Sequence, residues 1–210
     1  MKIQRLILGP VGTNCYIFCD EERGEAAVID PAYDHRSIIK AAESLGCKIT
    51  LIILTHGHYD HIGGLSGLLA ECPSAVLYAH KRGVEVLGDP SKSCCREIGG
   101  VIETFAPHKT VADGDTIPFG EKGFRVIYTP GHTIDSICLK VDDMVFCGDT
   151  VFRYSVGRTD LPTGNSVQLI SSIKSKLMCL EDGVSLYPGH GEATTVGEER
   201  RHNPYIVSTV

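Results

Sequence analysis

The sequence predicts an α/β fold in which sheets are covered by helices. Three observations predict it. Apolar runs of strand length alternate with stretches of helical periodicity along the 210 residues. The same grammar of strands, polar loop and helix runs over approximately 1–110 and again over 111–210, which reads as one domain of two pseudo-symmetric halves. Strand after strand also ends in a loop where histidine or aspartate stands beside glycine.

"KIQRLIL", "NCYIFCD" and "EAAVID" come first and are rich in the β-branched and aromatic residues that suit a pleated surface. "IDPAYD" ends a strand in a turn, with Asp34 placed to cap the helix "HRSIIKAAESLG", which Gly46 stops. "KITLIILT" is a continuous apolar run, expected to be a strand buried on both faces. After the cluster "HGHYDH" come a helix over "GLSGLLAEC" and a strand over "AVLYAH". "FRVIYTPGH", "SICLKV" and "MVFCGDT" are strands, the last two joined by an Asp-Asp turn. "NSVQLISSIKSKLMCLE" predicts a helix of about four turns capped by Asn165 or Ser166. "VSLYPGHG" is a last strand, and "GEERRHNPY" a short terminal helix stopped by Pro204.

Composition is that of an ordinary globular chain. No apolar run reaches the roughly 20 residues of a membrane helix, and the first residues do not read as a signal peptide, so a cytoplasmic location is expected. A net charge of −6 argues against a nucleic-acid backbone as partner. The partner expected is a small molecule, with no nucleic acid and no membrane. Nine cysteines without a CxxC pair read as reduced thiols. Cys15, Cys19, Cys47, Cys138 and Cys147 lie in apolar runs as small hydrophobes. The vicinal Cys94 and Cys95 fall in a polar loop.

The chemistry sits in the strand-end loops. In an extended loop His56 and His58 point the same way and address one point. Asp60 and His61, past a turn, address a second. "TPGHT" puts His132 at the end of a strand, "VFCGDT" does the same for Asp149, and "YPGHG" for His190. Imidazole and carboxylate donors suit zinc or a similar first-row ion. One ion takes about three or four protein ligands, so seven candidates suggest two ions sharing a bridge. His35, His80, His108 and His202 lack a motif and read as surface or capping residues. "GxSxG" is absent, so no serine nucleophile is implied.

This set resembles the metallo-β-lactamase superfamily, whose first motif reads HxHxDH, over nearly the whole chain. The resemblance implies an αββα four-layer sandwich with the site at one edge of the sheets. It implies that His56, His58 and His132 hold a first metal, that Asp60, His61 and His190 hold a second, and that Asp149 bridges them. The implied cofactors are two divalent ions, Zn2+ before Fe or Mn. The implied reaction is hydrolysis, a bridging hydroxide oriented by Asp60 attacking a carbonyl carbon.

"GRTD" after the bridging aspartate and the closing "RRHNPY" resemble the short glyoxalase II-like branch, whose members hydrolyse thioesters such as S-lactoylglutathione. Arg158 falls near the position where longer members place a lysine for the glutathione carboxylate. It can clamp a carboxylate in bidentate fashion, or pair with Asp160 and fix the loop. Tyr154 and Phe152 are candidates for the pocket wall. The chain departs from the longer enzymes in two respects. It shows no C-terminal helical domain, and Gly191 and Glu192 follow His190 where they carry a tyrosine. A thiol other than glutathione is therefore open. The rival readings are a mononuclear iron persulfide dioxygenase using His56, His132 and Asp149, a lactonase or other ester hydrolase, and a non-catalytic metal-stabilised interaction domain.

Overall fold

The computed structural model describes residues 1–95 and 103–207. Its first strands, β1 (Lys2–Leu8), β2 (Thr13–Asp20) and β3 (Glu25–Ile29), form an antiparallel meander. Helix α1 (His35–Ser44) then carries the chain across to β4 (Lys48–Ile53), which pairs with β3 in parallel. Asp34 caps α1 as expected, its carboxylate accepting from Ser37 N at 3.3 Å and Ser37 Oγ at 2.6 Å. The single turn α2 (Tyr59–Ile62) and helix α3 (Leu65–Glu71) follow. β5 (Val76–His80), α4 (Gly83–Leu87) and β6 (Lys109–Val111) complete a sheet of order β1-β2-β3-β4-β5-β6.

The second sheet has the order β14-β13-β10-β9-β8-β7. Its strands are β7 (Thr116–Ile117), β8 (Phe124–Tyr128), β9 (Ile137–Val141), β10 (Met144–Gly148), β13 (Ser185–Pro188) and β14 (Thr194–Thr195). Between β10 and β13 come a small hairpin, β11 (Val151–Phe152) with β12 (Ser155–Val156), and helix α5 (Ser166–Ser172). Helices α6 (Val196–His202) and α7 (Pro204–Val207) end the described chain. Among the described residues no helix is long and apolar enough to cross a membrane.

Strand alternation explains the layering. Tyr16 and Phe18 of β2 meet Phe124 of β8, Leu139 of β9 and Phe146 of β10 in a core between the sheets. Their strand neighbours Cys15, Ile17 and Cys19 face the other way, onto Ile38 of α1 and Leu65 and Leu68 of α3. Cys138, Val145 and Cys147 likewise face Leu169 of α5 and Val196 of α6. Helix, sheet, sheet and helix are thus stacked, the four-layer αββα sandwich that the motif set implied.

Three local expectations are corrected. The long helix after Asn165 runs as α only to Ser172 and continues as a π-helical turn, Ile173–Leu177. Pro204 does not end helical structure: Asn203 breaks α6 and Pro204 opens α7, a first-turn position where its missing N–H costs nothing. His80 is not a surface residue. It is buried, stacks on Tyr128 with ring centroids 4.2 Å apart, and accepts from Arg82 N.

Candidate metal centre

Four strand ends build the site. β4 runs out at Ile53 into the loop with His56 and His58, and α2 follows with Asp60 and His61. β8 leads to His132, β10 to Asp149 and β13 to His190. Residue 189 must be glycine for close approach: a Cβ there would lie 2.2 Å from Asp149 Oδ1 and 2.6 Å from His61 Cε1. Gly148 turns with φ +47°, and a Cβ on it would strike Thr55 Oγ1.

The seven side chains predicted from the motifs all come together, in two groups. His56, His58 and His132 present ring nitrogens within 4.8 Å of one another. His58 Nδ1 and His132 Nε2 are 2.9 Å apart. Asp60, His61 and His190 form the second group, with His190 Nε2 3.2 Å and His61 Nε2 3.5 Å from Asp60 Oδ2. Asp149 lies between them. Its Oδ1 is 3.2 Å from His61 Nε2, and its Oδ2 is 3.5 Å from His190 Nε2 and 3.6 Å from His132 Nε2.

The outer ring nitrogens are already spoken for. His132 Nδ1 donates to the carbonyl of Arg158 at 2.7 Å. His61 Nδ1 donates to Asp30 Oδ2 at 2.9 Å. Thr55 Oγ1 gives its proton to Asp30 Oδ2 at 2.6 Å and accepts from His56 Nδ1 at 3.1 Å. These bonds orient the three rings with Nε2 towards the centre and fix His56 and His132 in the tautomer whose Nε2 carries the lone pair. The Nε2 atoms of His56 and His58 are buried without a hydrogen-bond partner, and His61 Nε2 and Asp149 Oδ1 have only each other, 3.2 Å apart. Buried polar atoms in a folded protein are nearly always satisfied, so these orphans fit cations at the two points where they converge.

The electrostatics agree. Burial pushes the His56 and His132 imidazoles below their ordinary range and His58 down to about 3, so all three are neutral donors. Burial opposes ionisation of Asp60, but His61 and His190 overcome it and hold the carboxyl at about 2. Asp149 is likewise ionised despite burial, chiefly through His61. His61 itself is driven up, against burial, by Asp149, Asp60 and Asp30. A proton on His61 is the charge these three carboxylates recruit, and a divalent ion would replace it.

Asp30 is the residue that motif reading missed as a functional group. It stands in left-handed backbone, φ 54°, at the end of β3, and it also accepts from Thr55 N at 2.7 Å. Its signal in the sequence was the one shared by the ligands, an acid closing a strand before a turn. Through Thr55 it orients His56, and it holds His61 directly. Replacing it by alanine should weaken metal affinity by about 10–100-fold, measured by competition with a chromogenic chelator.

The centre opens into a cavity of about 490 Å3, walled by Val11, Phe152, Val156, Arg158 and Leu161. Cys94 also lines it, so this thiol and Cys95 are buried rather than set in a polar loop. Arg158 lies where expected and makes a bidentate pair with Asp160, both bonds 2.7 Å. Tyr154 does not line the cavity. It stands at φ 60° on the β11–β12 hairpin tip and donates its hydroxyl to Glu198 at 2.6 Å, while Phe152 takes the wall position. The buried Glu199, another residue without a motif, holds that hairpin by accepting from Tyr154 N and from Asn203, whose amide also reaches Ser155 O.

Comparison with known proteins agrees with this geometry. Residues 8–190 match the family model of the metallo-beta-lactamase superfamily. A protein of Aquifex aeolicus is 35% identical over 207 residues, 98% of this chain and 97% of that one. The hydroxyacylglutathione hydrolase GloC of Haemophilus influenzae is 31% identical, covering 99% of both chains. Among solved structures, the BLEG-1 B3 metallo-beta-lactamase superposes with a TM-score of 0.91 at 31% identity, over 99% of this chain and 100% of that one. TTHA1623 in a di-iron-bound form gives 0.86 at 30%, over 96% and 99%. ETHE1 from Myxococcus xanthus gives 0.84 at 30%, over 100% and 86%. The chain belongs to the metallo-β-lactamase superfamily, whose members are generally metal-dependent hydrolases.

Proposed function

We propose that this protein is a dinuclear metal-dependent hydrolase of thioesters. The observation that carries the reading is the bridging position of Asp149 between two groups of three donors. His56, His58 and His132 would hold one ion, Asp60, His61 and His190 the other, with zinc as the working choice of metal. Bound there, two divalent ions lower the pKa of water from 15.7 towards about 7 and polarise a carbonyl oxygen.

The protein's own groups do the rest. Thr13 Oγ1 donates to Asp60 Oδ2 at 3.1 Å, which fixes the carboxylate so that it can accept a proton from the attacking water and aim it. Val11, Phe152 and Leu161 exclude bulk solvent and receive the apolar part of the acyl group. A thiolate suits this cavity as leaving group because thiols ionise near about 8.5, and no proton donor need be set beside it. Similarity to GloC favours the same substrate class.

Arg158 supplies the charge selection. Its pair with Asp160 is exposed, the two side chains 62% and 67% accessible, so a competing carboxylate can reach the guanidinium. A substrate carboxylate can therefore replace Asp160 on the guanidinium fork. Arg158→Ala should raise KM for carboxylate-bearing thioesters by roughly tenfold and leave that of neutral thioesters nearly unchanged. An equal change for both would leave Arg158 only its role in fixing the loop.

A second reading rests on a specific subset. His56, His132 and Asp149 form a two-histidine, one-carboxylate set, and the likeness to ETHE1 favours a mononuclear iron persulfide dioxygenase. That reading gives His58, Asp60, His61 and His190 no ion to hold. The test is to load the protein with zinc and then with iron. Hydrolysis of S-lactoylglutathione by the zinc form supports the thioesterase. Oxygen uptake with glutathione persulfide by the iron form, without hydrolysis, replaces it.

A further inference from the structure

A second cavity, of about 480 Å3, is lined by Arg125 and Ile127 of β8, Lys140 of β9, Lys176 of the π-helical turn, Leu180 and Asp113. It shares no lining residue with the cavity over the metal centre. In a chain of net charge −6, three of these side chains are cationic and one is anionic.

The cations are poorly compensated. Arg125 and Lys140 stand directly opposite one another in the antiparallel β8–β9 pair, an arrangement of like charges that costs stability. Among the described residues Arg125 has no ion pair and no side-chain hydrogen bond. Lys140 donates to the backbone carbonyl of Asp142, not to a carboxylate, and the Asp142 carboxylate is taken by Lys122 at 2.7 and 2.8 Å. The single acid, Asp113, pairs with Lys176 at 2.7 Å and is shared, at longer range, with Arg125. Three cations against one carboxylate leave the described lining with a net charge of +2. Lys176 also sits in the π-helical turn, and such turns are rare and concentrate at functional sites.

We propose that this cavity binds a small organic dianion, a phosphate monoester with an apolar substituent. A net charge of +2 in the lining matches two negative charges. The Arg125 guanidinium offers the paired N–H donors that fit phosphate oxygens. Ile127 and Leu180 give an apolar wall, and the volume is in the small-molecule range of about 300–1,000 Å3, more than inorganic phosphate fills. Occupancy would relieve the repulsion across β8 and β9, so the site holds its ligand by the same charges that cost the free protein stability.

The test titrates phenyl phosphate into the zinc-loaded full-length protein, with isoleucine and leucine methyl groups labelled for NMR. Leu161 reports on the metal cavity, and Ile127 and Leu180 report on the new one. The expected result is saturable shifts at Ile127 and Leu180. The monoanion benzoate should bind roughly tenfold more weakly or worse, as should the R125Q variant and the K140Q variant. R125K, which keeps the charge without the fork, should fall between. Shifts confined to Leu161 would overturn the proposal. So would Ile127 and Leu180 shifts of equal affinity in the wild type and in folded R125Q and K140Q proteins.

Discussion

Replacing Asp149 by alanine is expected to empty both halves of the centre together. Asp149 faces His132 of the first group and His61 and His190 of the second. Removing its carboxylate also takes from His61 the largest of the attractions that offset its burial. Metal content should fall from about two ions per chain to well below one. Hydrolysis should fall with it by several kcal/mol of transition-state stabilisation, on the order of 10³-fold. Elemental analysis after gel filtration reads the first effect and a thioester assay the second. Two ions retained per chain would remove the bridge from the account.

Asp60→Ala should separate turnover from folding. Asp60 lies in the single turn α2, its Oδ2 accepting from Thr13 Oγ1 and facing His61 and His190. It belongs to none of the three apolar clusters that hold the four layers together. The first group, His56, His58 and His132, is untouched by the change, so about one ion per chain should remain. Without the carboxylate the attacking water has neither its proton acceptor nor its aim, and activity should drop by about 10²–10⁴-fold. Far-ultraviolet circular dichroism and thermal melting should stay close to those of the parent. Near-parental turnover would take Asp60 out of the chemistry.

The seven donors were legible because each is announced locally. His56, His58, Asp60 and His61 crowd into one short loop after an apolar run, and His132, Asp149 and His190 each stand beside a glycine at a strand end, where they have little to offer packing. Asp30 looked like an ordinary turn acid, because its partners Thr55 and His61 lie 25 and 31 residues away. Tyr154 and Phe152 are two residues apart, and only tertiary placement decides between them. The hairpin tip turns Tyr154 out towards Glu198, 44 residues on, and leaves Phe152 on the wall. The main strands followed from apolar runs, but β7, β11, β12 and β14 have two residues each, too few to show a period. The π-helical turn was hidden for another reason: "IKSKL" keeps helical composition, and one added residue in the turn changes which side chain faces the sheet without changing the residue types. His80 shows the same limit, since its burial under Tyr128 depends on β8 and not on its own neighbours.

The central claim is a two-ion centre that performs hydrolysis, and metal stoichiometry measured beside activity on one preparation tests it most directly. The protein, purified without a chelating tag, would be analysed for metals and assayed for S-lactoylglutathione hydrolysis and for oxygen uptake with glutathione persulfide. About two divalent ions per chain with thioester turnover is the result predicted. A single iron per chain, with oxygen uptake and no hydrolysis, would contradict it and leave His56, His132 and Asp149 as the working set.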